Sequence, residues 1–233
     1  MSADFVRIAG AVPVEERASR RSGSLFRVEC WNPKKFAREQ IRRLVRQVFC
    51  GTQPAARQVV FSAVETESEI GNLCSLVGET LATEMPGHVA VSGVFPPAVL
   101  EGAADHDEMD RPEKDRSSPL RQIAVRVRSN LWLVPARSWD ANCSAACLHG
   151  YLSQIRKEFD YSVIQANCAA ESTEATAMAQ FADGIVLVLS AQTTRRATAR
   201  KIKDALEEAG VHLLGTVLSE REFPIPQGIY RRL

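Results

Sequence analysis

No stretch of this 233-residue chain approaches the ~18 consecutive apolar residues of a membrane-spanning helix, so no transmembrane segment is expected. The first residues, MSADFVRIAGAVPVEERASRR, hold no uninterrupted apolar stretch of signal-peptide length, and a cytoplasmic protein is expected. Excess charge is missing as well: at a net +1 there is no bulk pull toward nucleic acid or an anionic membrane. Internal repeats and low-complexity segments are absent. Between Gln58 and Asp110 there is no lysine or arginine, against ten aspartates and glutamates.

What is present is the balance of an ordinary folded protein, 45% hydrophobic and 24% charged, in a chain long enough to bury a real core. The six cysteines are irregularly spaced, and most lie inside apolar segments as small buried hydrophobes do. Cys143 and Cys147 are four apart on an expected helix, but no second pair follows and His149 lies off their face. Reduced structural thiols are therefore expected rather than zinc.

Residues 1–33 show no sustained period and read as a flexible N-terminal arm, with one short strand around Phe26–Val28. The rest, residues 34–233, reads as a single domain. Ala37, Ile41, Leu44, Val45 and Val48 recur at helical spacing, with Lys34, Lys35, Arg38, Arg42, Arg43 and Arg46 on the other faces. Strands are expected at Gln58–Ala63, His88–Ser92, Gln122–Val127, Leu131–Val134, Tyr161–Ala166, Gly184–Ser190 and Val211–Leu218. Helices are expected around residues 70–81, 143–159, 171–181 and 193–209, the last capped by Thr193 or Thr194 and closed by Gly210. Apolar strands alternating with helices predict an α/β fold of three layers, a mostly parallel sheet covered by helices on both faces.

In such a sheet ligands sit beyond the carboxyl ends of the strands, and the first strand-to-helix turn is the place to look. A phosphate-binding loop needs glycines that let backbone N–H groups reach the oxygens, a lysine, and a Ser or Thr for magnesium. The turn here runs Val64, Glu65, Thr66, Glu67, Ser68, Glu69, Ile70, Gly71, Asn72: one glycine, no lysine, three alternating glutamates. Like charges near 4 Å repel by about 4 kcal/mol at an effective dielectric of about 20, so a triphosphate would be driven off. The alternating glutamates read as a solvated acidic turn, with a metal site as the alternative.

The segments FDYSVIQA, QFADGIVLVLSAQTTRRATARKIKDALEEAGVHLLGTVL and FPIPQGIYRRL resemble the bacterial tyrosine kinases of capsule and exopolysaccharide synthesis, which belong with the MinD and ParA-type P-loop proteins. The similarity reaches back through LWLVPA and VVFSAVE to the basic helix, over about residues 34–233. It implies a P-loop NTPase-like fold and a regulator that works beside a membrane polysaccharide copolymerase and phosphorylates a tyrosine-rich tail. Carried onto this chain, it chiefly marks replacements. The Walker A loop corresponds to Glu65–Asn72, the second aspartate motif to Ser92, the Walker B aspartate to Gln165, and the base-reading asparagine to Ser219. The tail keeps Tyr230 alone as a phospho-acceptor. Of the family's ring-forming motif, Glu39 and Arg42 keep the first spacing, Val45 stands for the next arginine, and Arg46 is displaced by one.

Phosphoryl transfer depends almost wholly on such positioning groups. A non-catalytic, pseudokinase-like protein is therefore expected, without a bound cofactor or metal, acting through protein contacts. Its expected partner is the copolymerase or a related kinase subunit, with a homo-oligomer also open, and membrane recruitment would come through the partner alone. Glu39, Arg42, Arg43 and Arg46 are the candidate partner surface; the stretch Arg195, Arg196, Arg200, Lys201, Lys203 reads as a solvated helix face. Two alternatives stay open: a divergent active tyrosine kinase or ATPase that holds ATP and magnesium in a rebuilt site, and a MinD/ParA-like positioning module.

Overall fold

The computed structural model describes residues 5–7, 33–51, 55–65, 70–95, 119–136 and 144–219. The first helix, α1, spans Pro33–Val45 and begins on a proline, whose missing N–H is not needed at a first helical position. A π-helical turn, Arg46–Cys50, extends it and buries Val48 and Phe49. Then β2 (Gln58–Ala63), α2 (Ile70–Glu84) and β3 (Val89–Gly93) follow in turn, every residue of both strands buried. The second half runs β5 (Leu131–Pro135), α4 (Ala145–Glu158), β6 (Tyr161–Ala166), α5 (Glu174–Phe181), β7 (Gly184–Ser190), α6 (Arg196–Glu208) and β8 (Leu213–Ser219).

Two further elements complete the fold. A strand β1, Phe5–Arg7, pairs in parallel with β8, so residues assigned to a free arm by sequence supply an edge of the sheet. The expected strand at 26–28 lies outside the described residues. A short helix α3, Pro119–Ile123, precedes β4, Val125–Arg128. The expected strand Gln122–Val127 is thus corrected at its start, since Gln122 and Ile123 end a helix. The cause is non-local: Glu158 of α4 accepts from the N–H groups of Leu120 and Arg121, both at 3.3 Å, and caps the turn that Pro119 begins.

The sheet has eight strands in the order β1-β8-β7-β2-β6-β3-β5-β4, parallel except for the β4–β5 hairpin. Alternation along each strand sends side chains to two cores. On one face Phe61, Val91 and Val163 pack with Ile41, Leu44, Val45, Leu73 and Leu81 of α1 and α2. On the other, Val60, Ala90 and Ile164 pack with Leu120, Leu152, Met178, Ile202 and Leu206 of α3 to α6. This is the three-layer α/β architecture expected from sequence.

One helix end departs from expectation. The Thr194 hydroxyl accepts from the Ser190 N–H at 2.9 Å instead of capping α6, whose N-cap is Arg195 with no side-chain bond. The C-terminal end agrees, since Gly210 adopts φ +71°, which glycine tolerates best. No helix among the described residues is long and apolar enough to cross a membrane.

Candidate functional site

The parallel strands bring the ends of β2, β6, β3, β7 and β8 to one edge, with β2 between β6 and β7. Glu65 lies there just past β2, half-buried; Thr66, Glu67, Ser68 and Glu69 fall outside the described residues. Ile70, which opens α2, is buried in the core, and Gly71 and Asn72 follow in the first helical turn.

The start of this turn is sewn to the β6–α5 connection. Ser62 donates its hydroxyl proton to the Asn167 carbonyl at 2.6 Å, and the Ala169 N–H donates to the Ala63 carbonyl at 2.9 Å. The Cys168 thiol donates to the Val64 carbonyl at 3.0 Å, and the Val64 N–H reaches Val188 of β7 at 2.9 Å. Backbone polar groups here are used within the protein. Asn167 also donates its side-chain amide to Glu174 at the start of α5. Burial raises the Glu174 carboxyl above its ordinary range, and the Asn167 bond partly opposes that shift.

Gln165, which the resemblance sets at the Walker B aspartate, does reach this edge. Its Oε1 accepts from the Val94 N–H at 3.2 Å, and a Cβ on Gly71 would stand 3.6 Å from the same oxygen. The carboxamide therefore spans the ends of β6 and β3 beside the first turn of α2. Ser92 does not join it. Ser92 pairs in register with Ile164, so it shares the α4 face with that residue, while Gln165, one position on, faces α2. The Ser92 hydroxyl is buried 2.6 Å from the hydroxyl of Tyr151 on α4. The two positions assigned to aspartates thus point to opposite sides of the sheet. Ser219 is structural in its contacts, its hydroxyl donating to the Leu189 carbonyl at 3.2 Å.

The candidate partner residues of α1 are engaged within the chain. Glu84 of α2 takes Arg42 at 2.8 Å and Arg46 at 2.9 Å, and Glu39 takes Arg42 at 3.4 Å and Arg43 at 3.8 Å. Val45, which the resemblance sets in place of the motif's next arginine, is fully buried. Tyr230 lies outside the described residues. Among the described residues no group of three His, Cys, Asp or Glu side chains is placed to hold a metal ion.

Sequence reading missed Tyr151, Asn167 and Glu84. Tyr151 carried a signal: it stands in the inward stripe Leu148, Tyr151, Leu152, Ile155, where a phenol needs a partner. Asn167 and Glu84 act across the fold and carried none.

No family model matches the chain, and no curated protein matches its sequence. Its fold is shared by solved structures. The kinase domain of Escherichia coli tyrosine kinase ETK superposes with a TM-score of 0.62 at 13% identity, covering 82% of this chain and 78% of that one. The BceF tyrosine kinase domain gives 0.60 at 19% identity, covering 79% and 77%. The MinD cell division protein of Aquifex aeolicus gives 0.52 at 16% identity, covering 76% and 73%. The chain therefore has the P-loop NTPase-like fold common to bacterial tyrosine kinase domains and MinD/ParA ATPases.

Proposed function

We propose that this chain is a non-catalytic, kinase-like protein of capsule or exopolysaccharide synthesis that regulates chain assembly or export through protein contacts. The fold supports the kinase-like part of this reading. The observation that carries the non-catalytic part is the divergence of Ser92 and Gln165. One hydroxyl is bonded to Tyr151 on the α4 side, and one carboxamide is bonded to Val94 on the α2 side. A magnesium ion is held by acidic or hydroxyl oxygens that converge on one point. Neither residue offers a carboxylate, and they do not converge. The acidic turn that begins at Glu65 adds repulsion toward a polyanion where a phosphate loop supplies amide protons and an ammonium group.

Isothermal titration with ATP and magnesium tests the reading. No heat at micromolar nucleotide is expected, and micromolar binding would overturn it. A pull-down from the native cell tests the process: recovery of a polysaccharide copolymerase or a kinase subunit is expected. Recovery of division or segregation proteins instead would assign the fold to a positioning module.

A further inference from the structure

The two basic stretches of the sequence differ in one physical respect. On α1 and the turn after it, Arg42, Arg43 and Arg46 are each within ion-pair distance of Glu39 or Glu84. On α6, Arg195, Arg196, Arg200 and Lys201 are exposed, and none makes an ion pair with a described residue. Among the described residues the one pair on that helix is Lys203 with Glu207 at 2.6 Å. Asp204 follows Arg200 by one turn without pairing to it.

The order of charges along α6 is also the reverse of what a helix favours. No acidic residue lies in its first turn and no basic one in its last, whereas Arg195 and Arg196 stand at the positive end of the macrodipole and Glu207 and Glu208 at the negative end. Meanwhile Ile202 and Leu206 hold the opposite face of α6 in the core, which fixes the cations outward.

The chain itself contains the complementary charge. Residues 101–110, EGAADHDEMD, carry five acidic side chains and no lysine or arginine. The chain enters that stretch from β3 and leaves it toward α3, whereas α6 follows β7. Three strand spacings separate β3 from β7, roughly 14 Å. Charge complementarity between this stretch, which lies outside the described residues, and the exposed cations of α6 suits a head-to-tail contact between copies.

We propose that the basic face of α6, Arg195, Arg196, Arg200 and Lys201, is a docking surface for the acidic segment 101–110 of a second copy of this chain. This stands apart from the proposed function, since it requires neither a kinase partner nor an empty nucleotide site. A nucleic acid is the weaker occupant, because Asp204, Glu207 and Glu208 interrupt the basic stripe on the same helix.

Sedimentation of the full chain at increasing concentration, at low and high salt, tests it. Self-association is expected, and it should fade as salt screens the contact. The double variant Arg196→Glu, Arg200→Glu should weaken it by at least about tenfold. The variant Glu101→Gln, Asp105→Asn, Asp107→Asn, Glu108→Gln, Asp110→Asn should do the same, with circular dichroism confirming that both variants fold. Mixing the two should restore a one-to-one complex, because one intact acidic segment then meets one intact α6. A chain that stays monomeric throughout, an association that survives both variants, or a failure of the mixture to pair would each overturn the proposal. So would a short DNA duplex that binds α6 while the reversed variant leaves self-association unchanged.

Discussion

The hydroxyls of Ser92 and Tyr151 lie 2.6 Å apart in the interior, where β3 meets α4. Removing one partner of a buried pair costs about 1–3 kcal/mol, whereas removing both can be nearly neutral. Ser92→Ala and Tyr151→Phe should each lower stability within that range, and the double variant should lose less than the sum. Urea unfolding of all four proteins measures the coupling. Strict additivity would show that the two hydroxyls do not depend on each other. Ser92→Asp, which writes an aspartate back into this position, should destabilise by about 3 kcal/mol or more, because the carboxylate would be buried without a cation.

At the opposite edge of the sheet Asp183 joins three elements. Its Oδ2 accepts from the N–H groups of Arg57 and Gln58 at 2.7 and 2.8 Å, and its Oδ1 takes Arg156 of α4 at 2.6 Å. Burial alone would raise the carboxyl, but these donors outweigh it and hold Asp183 below its ordinary value of 3.8. A depressed folded pKa means a stabilising contribution that is complete above the ordinary value and lost as pH falls through the folded one. The stability gap between the native chain and Asp183→Asn should therefore be constant at neutral pH and shrink below about pH 4. A gap that stays constant into strong acid would contradict the ionised clamp. Glu174 has the reverse sign: its raised carboxyl means stability that declines as pH rises from the ordinary range through the folded value. Glu174→Gln should flatten that decline.

Glu84 holds Arg42 and Arg46 at the α1–α2 contact, with both arginines about half exposed. Exposed ion pairs of this kind contribute about 0–1 kcal/mol and are screened by salt. Glu84→Gln should accordingly shift the unfolding midpoint slightly at low salt and not at high salt. A large, salt-independent loss would instead mean that Glu84 is needed for packing.

How far the fold could be read in advance depended on whether its determinants were local. The strands Gln58–Ala63, Tyr161–Ala166 and Gly184–Ser190 were legible because a buried parallel strand has to be apolar on both faces. The helix Pro119–Ile123 was not, since its cap is Glu158 from another helix. Nor was β1, whose three residues pair with β8 from the far end of the chain. At the site, the sequence showed which residues stand at the strand ends but not which way they face. Ser92 and Gln165 read as equivalent strand-end polar residues until the register of β3 on β6 placed them on opposite faces. The basic helix likewise read as an open surface, because Glu84 lies 38 residues beyond the arginine it binds.

Gly93 tests whether Gln165 is held where it stands. A methyl at Gly93 would lie 2.5 Å from Gln165 Oε1 and 3.2 Å from its Cβ. The carboxamide could swing away, but only by breaking its bond from Val94, and the Cβ cannot swing. Gly93→Ala should therefore lower stability by about 1–3 kcal/mol, the usual range for overpacking a filled interior. Adding Gln165→Ala removes the colliding oxygen and should recover most of the loss in urea unfolding. A neutral Gly93→Ala would show that Gln165 moves freely. Gln165→Asp then separates geometry from chemistry, since of the two positions assigned to aspartates it is the one that faces α2. Titration of this variant with ATP and magnesium should still give no heat, because Ser92 faces away and the turn supplies no lysine. Binding restored by that single change would mean that one side chain, and not the whole edge, keeps nucleotide out.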